Sequence, residues 1–310
     1  MLLVLRLVLA VLMALQVATD TPPSVFRSRV DVVRLAAVVR DHKGRFVQNL
    51  KASDFDVFDS GRMRAITDFR QDVAGLSVAL LFDVSGSMEG QLAHARDAAT
   101  TLLGLLDPAR DEAAVYQFDT RLEEAVPFTP GLRQLPASMS QVVPFGATSL
   151  FDAVALTAQR ITVQQERRHA VVVFTDGLDN ASTLTASQVS GIASSIDVPV
   201  YVVGIVSGLD DPTSDTATPQ ALKSPLAGEL ANLASWTGGA AWVASAGPQR
   251  MYVMRQVVEE LRHQYLIAIE SGAEPGWHPL TVKLRNKDLT AHARSGYIVG
   301  QSRPDSWRRN

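Results

Sequence analysis

An apolar run of seven residues, 76–82, stops at a carboxylate, and the chain continues Asp83-Val84-Ser85-Gly86-Ser87. Alternate residues of an extended turn aim at one point, so Asp83, Ser85 and Ser87 can converge there. Gly86 lets such a loop close tightly. One carboxylate and two hydroxyls are hard oxygen ligands, suited to Mg²⁺ or a similar ion and unsuited to zinc. Two other segments carry the same chemistry. Phe145-Gly146-Ala147-Thr148-Ser149 precedes a helical pattern and offers the hydroxyl of Thr148. Phe174-Thr175-Asp176-Gly177 ends a second apolar run in the carboxylate of Asp176. Two carboxylates and three hydroxyls around one point would hold Mg²⁺, with Mn²⁺ or Ca²⁺ as alternatives. Mg²⁺ favours an octahedron of oxygens and keeps bound water readily. With only two anionic protein ligands the ion stays electron-poor, and a partner's Asp or Glu carboxylate would fill an open position strongly.

These residues meet only if the elements beneath them bring strand ends to one edge. Strand patterns at 76–82, 113–118, 122–128, 170–174, 198–206 and 241–243 alternate with helical spacing at 92–106, 149–163, 186–196, 226–237 and 249–264. The runs at 76–82 and 170–174 are apolar on both faces, as in a mostly parallel sheet covered by helices on both sides. In such doubly wound sheets ligands bind at the carboxyl ends of the strands, where Asp83 and Asp176 fall. The flanks differ. Alternating β-branched residues from Val32 to Val39, then short strands near 46–47, 55–59 and 65–69, suggest a small antiparallel unit. Strand patterns return at 265–269, 280–284, 291–294 and 297–299. Each flank alone has too few strands to bury a core, so the two are expected to pair into one β-sandwich holding the α/β domain as an insertion. The expected segments are 25–72 and 264–300 for the sandwich, 75–262 for the α/β domain, and a tail at 301–310.

The 310 residues are 46% hydrophobic and 20% charged, which describes a globular chain. A formal net charge of −3 gives no nucleic-acid footprint. Cysteine is absent, which excludes disulfides, thiolate metal sites and cysteine nucleophiles. Residues 1–18, MLLVLRLVLAVLMALQVA, are apolar except for Arg6 and Gln16. After Arg6 the run has the length of a signal-peptide core and is short for a membrane span. It reads as an export signal cut near Ala18, with an uncleaved anchor as the alternative. Either places the protein in the periplasm or on the cell surface. The polar stretch 207–224, with two prolines, reads as a long surface loop.

Asp83-x-Ser85-x-Ser87, Thr148 within Gly-x-Thr and Asp176 within Thr-Asp-Gly together resemble the metal-ion-dependent adhesion site of von Willebrand factor A domains. The order of strands and helices over 76–262 agrees. The resemblance implies that Ser85, Ser87 and Thr148 contact the metal directly, and that Asp83 and Asp176 act largely through water. The flanks are similar to the bacterial VWFA-related, acidobacterial-type family. That likeness is carried by Asp41-His42-Lys43-Gly44-Arg45 and Asp54-Phe55-Asp56-Val57 before the domain, and by Val282-Lys283-Leu284 and Arg294-Ser295-Gly296-Tyr297 after it. The implied function is cation-dependent protein binding of an adhesion type, without catalysis.

Competing readings need residues of their own. Asp-x-Ser-x-Ser by itself also describes a turn. A haloacid-dehalogenase-like, Mg²⁺-dependent phosphatase needs a second Asp two residues after the first, and Ser85 stands there; it also needs a downstream Lys, and the central region has only Lys223, in the polar loop. A serine hydrolase needs a Gly-x-Ser-x-Gly elbow and a His base, and Ser85 has no such elbow. A structural envelope protein without metal-dependent binding is a third reading. Asp179-Asn180 read as plain loop, with support of the ligand residues as the alternative; Asp119 reads as a solvated turn, with an accessory acid as the alternative; Ser149 and Asp152 read as helix caps. The six histidines, from His42 to His292, have no metal-ligand spacing. Trp236, Trp242 and Trp277 read as core or domain-contact residues.

Overall fold

The computed structural model describes residues 32–71, 75–161, 167–177, 179–195, 198–206 and 228–299. The expected export signal, the polar loop at 207–224 and the tail at 301–310 lie outside these residues. Among the described residues no helix is long and apolar enough to cross a membrane.

The chain begins with β1 (Val32–Asp41), β2 (Phe55–Asp59), β3 (Arg62–Arg64) and β4 (Ile66–Arg70). Strands and helices then alternate: β5 (Gly75–Asp83), α1 (Leu92–Leu105), β6 (Glu112–Phe118), β7 (Leu122–Pro130), α2 (Leu150–Arg160), β8 (Arg167–Thr175), α3 (Ala186–Ser195), β9 (Val200–Ile205), α4 (Glu229–Thr237), β10 (Ala241–Ala244) and α5 (Gly247–Arg262). Four strands close the described chain: β11 (Gln264–Glu270), β12 (Gly276–Leu284), β13 (Leu289–Ala293) and β14 (Gly296–Val299).

The middle elements form a six-stranded sheet in the order β10-β9-β8-β5-β6-β7, parallel except for the edge strand β7. The apolar-on-both-faces pattern has its physical cause here, because β5 is buried along its whole length. Leu76, Val78, Leu80 and Phe82 pack into a core shared with α1 and α5, while Ala79 and Leu81 enter a second core shared with α2, α3 and α4. Buried Asp111 pins the base of this layer. It accepts the Leu76 N–H at 2.9 Å and the Asp107 N–H at 2.7 Å, and pairs with Arg262 at the end of α5 at 2.8 Å. The doubly wound reading therefore holds.

The flanking strands pair across the chain. β1 lies between β11 and β13, and the four-stranded sheet runs β13-β1-β11-β4. A second four-stranded sheet runs β14-β12-β2-β3. Their inner faces share a third core that includes Leu35, Ala37, Phe55, Val57, Tyr265 and Ile267. Arg40 of β1 joins this layer to α5 through Glu260 at 2.9 Å and Gln256 at 3.1 Å, and Phe46 stacks on His263. Trp236 and Trp277 meet edge to face across the same boundary, and Trp242 is wholly buried in the α/β core.

Three details depart from the sequence reading. Residues 46–47 form a single bridge from Phe46 to Arg40 rather than a resumed strand. β3 is an additional strand. Ser60 and Gly61 both take positive φ, 51° and 78°, and so make a two-residue hairpin that turns the chain back at once. β12 starts at Gly276, earlier than its clean alternation, because Gly276–Pro279 pair with β14 and Leu280–Leu284 with β2. Pro279, which has no N–H to donate, sits at this change of partner and still accepts the Ser60 N–H at 2.8 Å.

A polar cluster locks the second sheet. Asp59, fully buried, accepts from His278 Nδ1 at 2.9 Å, from Arg64 at 2.8 Å and from the Tyr297 hydroxyl at 3.2 Å. His278 Nε2 lies 2.6 Å from the carbonyl of Glu274. Both ring nitrogens face acceptors, so the ring is held as imidazolium. The Glu274 carbonyl contributes most to raising the His278 pKa, and Asp59 adds to it against the opposing effect of burial. Burial alone would raise the Asp59 pKa, but hydrogen bonds from His278, Ser60, Arg64 and Tyr297 outweigh it and lower the value. A raised His pKa gives stability that is complete below the unfolded value, roughly 6.5, and lost as pH rises through the folded value. A lowered Asp pKa gives stability present above the unfolded value, roughly 3.9, and lost as pH falls through the folded one. The cluster therefore contributes most between about pH 4 and 6.5. His278→Gln is expected to lower the melting temperature by about 2–5 °C at pH 6. It should also flatten the loss of stability between pH 6 and 9, as read by thermal melts across that range; an unchanged slope would contradict the imidazolium assignment.

Candidate metal centre

Asp83 is the last residue of β5, the strand at the centre of the sheet. The register sets Phe82 beside Phe174 of β8, so the two strands reach the same edge and deliver Asp83 and Thr175 together. The Asp83 carboxylate has no exposed surface. Its Oδ1 accepts the Ser85 N–H at 3.0 Å, and its Oδ2 accepts the Thr175 hydroxyl at 2.7 Å. Burial is the largest influence on this carboxyl and raises its pKa; the nearby Asp176 charge raises it further, and the bonds from Ser85 and Thr175 oppose the rise.

The chain then turns through a short 3₁₀ segment, Gly86–Met88. Buried Met88 anchors the turn in the core beneath, while Ser87 stays exposed. The Ser85 and Ser87 hydroxyls lie 3.1 Å apart, the convergence expected of alternate residues. Buried Thr148 sits on the neighbouring loop. That loop is fastened to the first by two backbone bonds, from Phe145 N–H to Val84 O and from Gly86 N–H to Gly146 O, each 3.0 Å. Gly146 makes the fit possible with φ +86°, a left-handed conformation in which a side chain is strained. Asp176 follows β8 directly and is half-buried. The register of β5 and β8 puts Asp176 just past the end of β8, at the same sheet edge as Asp83.

Thr175, Asn180, Asp179 and Asp152 hold the loops of this site; of these, only Asp179-Asn180 has such support as an alternative in the sequence reading. Thr175 orients Asp83 and accepts the Gly177 N–H at 3.1 Å. Asn180 Oδ1 accepts the Thr148 N–H at 2.9 Å, and the Thr148 carbonyl accepts the N–H groups of Asn180 and Ala181. Asp179 accepts the Phe151 N–H at 3.0 Å and the Ser182 hydroxyl at 2.6 Å. The segment 179–182 is thus a clamp on the Thr148 loop, not the plain loop of the sequence reading. The capping reading of Ser149 and Asp152 also gives way. Ser149 makes no side-chain cap bond, and the Asp152 carboxylate instead holds Thr183 and Leu184 at 2.9 Å. Asp119 is a turn residue whose carboxylate accepts the Arg121 N–H at 2.8 Å, and its carbonyl also steadies Ser149. Thr175 gave little signal because threonine is an ordinary strand residue; its one clue was being the first polar residue after an apolar run.

The donor set is two carboxylates and three hydroxyls, with no imidazole or thiolate. Among the described residues no three or more of His, Asp and Glu gather as a metal cluster. Hard oxygens of low total charge fit Mg²⁺, Mn²⁺ or Ca²⁺. A buried carboxylate whose ionisation is disfavoured gains most from a cation beside it. Asp83, Ser85, Ser87, Thr148 and Asp176 are the residues that could hold one. Thr175→Val should cost about 1–3 kcal/mol of stability even in EDTA, since it strands an acceptor of Asp83 and the Gly177 N–H. Urea denaturation in EDTA tests this, and a stability equal to the parent's would show that Thr175 does not set the carboxylate.

Residues 78–178 match the family model of the von Willebrand factor type A domain. No curated protein matches the chain. Several solved structures resemble it. An aerotolerance-related membrane protein from Bacteroides fragilis is 19% identical, with 60% of this chain and 98% of that one covered and a TM-score of 0.47. A von Willebrand factor type A protein from Catenulispora acidiphila is 11% identical, with 88% and 76% covered and a TM-score of 0.45. Proximal thread matrix protein 1 from the mussel byssus, with a zinc-occupied MIDAS motif, is 18% identical, with 66% and 50% covered and a TM-score of 0.45. The match over 78–178 falls on the doubly wound sheet and its Asp-x-Ser-x-Ser loop, so this part of the chain is similar to von Willebrand factor type A domains.

Proposed function

We propose that this protein is a divalent-cation-dependent protein-binding module that acts without catalysis. Mg²⁺ is held by Asp83, Ser85, Ser87, Thr148 and Asp176, and a partner's Asp or Glu carboxylate completes its coordination. The observation that carries this reading is the buried Asp83 carboxylate, aimed by Ser85 and Thr175 beside the paired hydroxyls of Ser85 and Ser87. Such an arrangement is costly in a protein that leaves it unused. When bound, the cation supplies a Lewis-acidic contact for a carboxylate. The protein's own part is to fix the hydroxyls, to keep the anionic ligands few, and to exclude water from the floor of the site through the buried Asp83, Ser85 and Thr148. A phosphatase of the kind considered above would need a carboxylate where Ser85 stands, and Ser85 instead bonds to Ser87. The apolar segment 1–18 supports an exported location, in the periplasm or at the cell surface.

Calorimetric titration of the purified chain with Mg²⁺ and Mn²⁺ tests the reading. One-to-one binding is expected, and at a hundredfold excess over Kd the cation should stabilise the fold by about 2.7 kcal/mol, seen as a higher melting temperature. Asp83→Ala should lose both signals while keeping the parent's circular dichroism. A variant that binds Mg²⁺ like the parent would sink the site assignment.

A further inference from the structure

The loop that carries Thr148 also exposes two large apolar side chains beside the site. Val143 is 80% exposed and Phe145 79%, among the few large hydrophobic residues that the described fold leaves in solvent. Exposure alternates along this stretch: Val142 and Pro144 are half-buried, and Val143 and Phe145 point out. Val142 has extended backbone, φ −64° and ψ 124°, and packs against the α/β core. In an extended segment residues two apart share a face, so Val143 and Phe145 stand together on the outward one.

Their position is fixed by the metal loops themselves. The Phe145 N–H bonds Val84 O, one residue before Ser85, and Gly146 O accepts the Gly86 N–H between Ser85 and Ser87. The backbone on either side of the Phe145 side chain is therefore tied to the segment that bears the hydroxyl ligands. A ring held this way is presented, because its backbone has no freedom to fold it into the core. Both residues therefore lie on the loop that runs into Thr148 and is bonded to the Ser85–Ser87 turn.

We propose that Val143 and Phe145 form an apolar subsite that selects partners whose metal-binding Asp or Glu is flanked by a large apolar side chain. The inference rests on the metal-bridging reading above. The occupant is a protein segment, since one short stretch must supply an anion for the cation and a hydrocarbon surface for the adjoining pair.

The test uses the purified chain in Mg²⁺ and two capped peptides, Gly-Asp-Gly and Leu-Asp-Leu, titrated by ¹⁵N chemical-shift mapping. The parent should bind the leucine peptide at least tenfold more tightly, about 1.4 kcal/mol. In the double variant Val143→Ser, Phe145→Ser that advantage should fall below about threefold, while Mg²⁺ affinity by calorimetry stays at the parent value. Equal affinity of the parent for the two peptides overturns the inference and leaves the metal reading standing. So does a double variant that keeps the advantage. Failure of the parent to bind Mg²⁺ brings down both. Cosedimentation of the parent, but not the double variant, with phosphatidylcholine–phosphatidylglycerol vesicles, alongside equal peptide affinities, assigns the pair to a lipid surface and overturns the protein-segment proposal.

Discussion

A carboxylate with no exposed surface ends a strand that is buried along its whole length, and much of the architecture serves to keep it there. An ionised side chain in an apolar layer is destabilising unless hydrogen bonds or a counter-charge compensate it. Asp83 receives two bonds, one from its own loop and one from the neighbouring strand. The second exists only because β8 lies beside β5 in a register that brings Thr175 level with the end of that strand. Sheet order, strand register and site geometry are thus a single constraint. Moving β8 by one residue would turn Thr175 to the other face of the sheet and leave Asp83 with a raised pKa and no partner across the strands.

Compensation for Asp83 within the protein is incomplete. Burial is the largest influence on its carboxyl, and Asp176 adds a like charge. The loops around it are nonetheless held by a closed set of bonds: Val84 to Phe118 and Phe145, Gly86 to Gly146, Thr148 to Asn180 and Ala181, Ser149 to Asp119. Those bonds remove the option of relieving the charge by opening the site. A rigid frame around such an acid is what the proposed cation site requires, because a positive charge beside it would favour the ionised form.

Much of this was legible in the sequence because it depends on local order. Runs apolar on both faces can only be interior strands, and the polar residues that end them must fall at the sheet's carboxyl edge. That reasoning singled out Asp83, Ser85, Ser87 and Asp176, and Gly146 marked the approach to Thr148. The supports were not legible, because each depends on a partner far along the chain. Asn180 is 32 residues from Thr148, Thr175 is 92 from Asp83, and His278 is 219 from Asp59. Single residues of ordinary type carry no mark of a distant partner. The departures at β3 and β12 have a similar origin: a positive φ at Ser60, and a strand that changes partner at a proline, are set by the sheet and not by periodicity.

The sandwich follows from the same logic. Neither flank buries its own apolar face, so β1 must wait for β11 and β13, more than two hundred residues later, before the third core can close. This closure grips the last turns of α5, whose final residue Arg262 is tied to the start of β5 through Asp111. The strand that ends in Asp83 is consequently fixed at its base by a bond whose partner helix is itself held by the outer layer. A chain of direct contacts therefore links β1 to the base of the strand that ends in Asp83. The α/β domain carries the candidate ligands, and the paired flanks hold the helix that anchors the base of their strand.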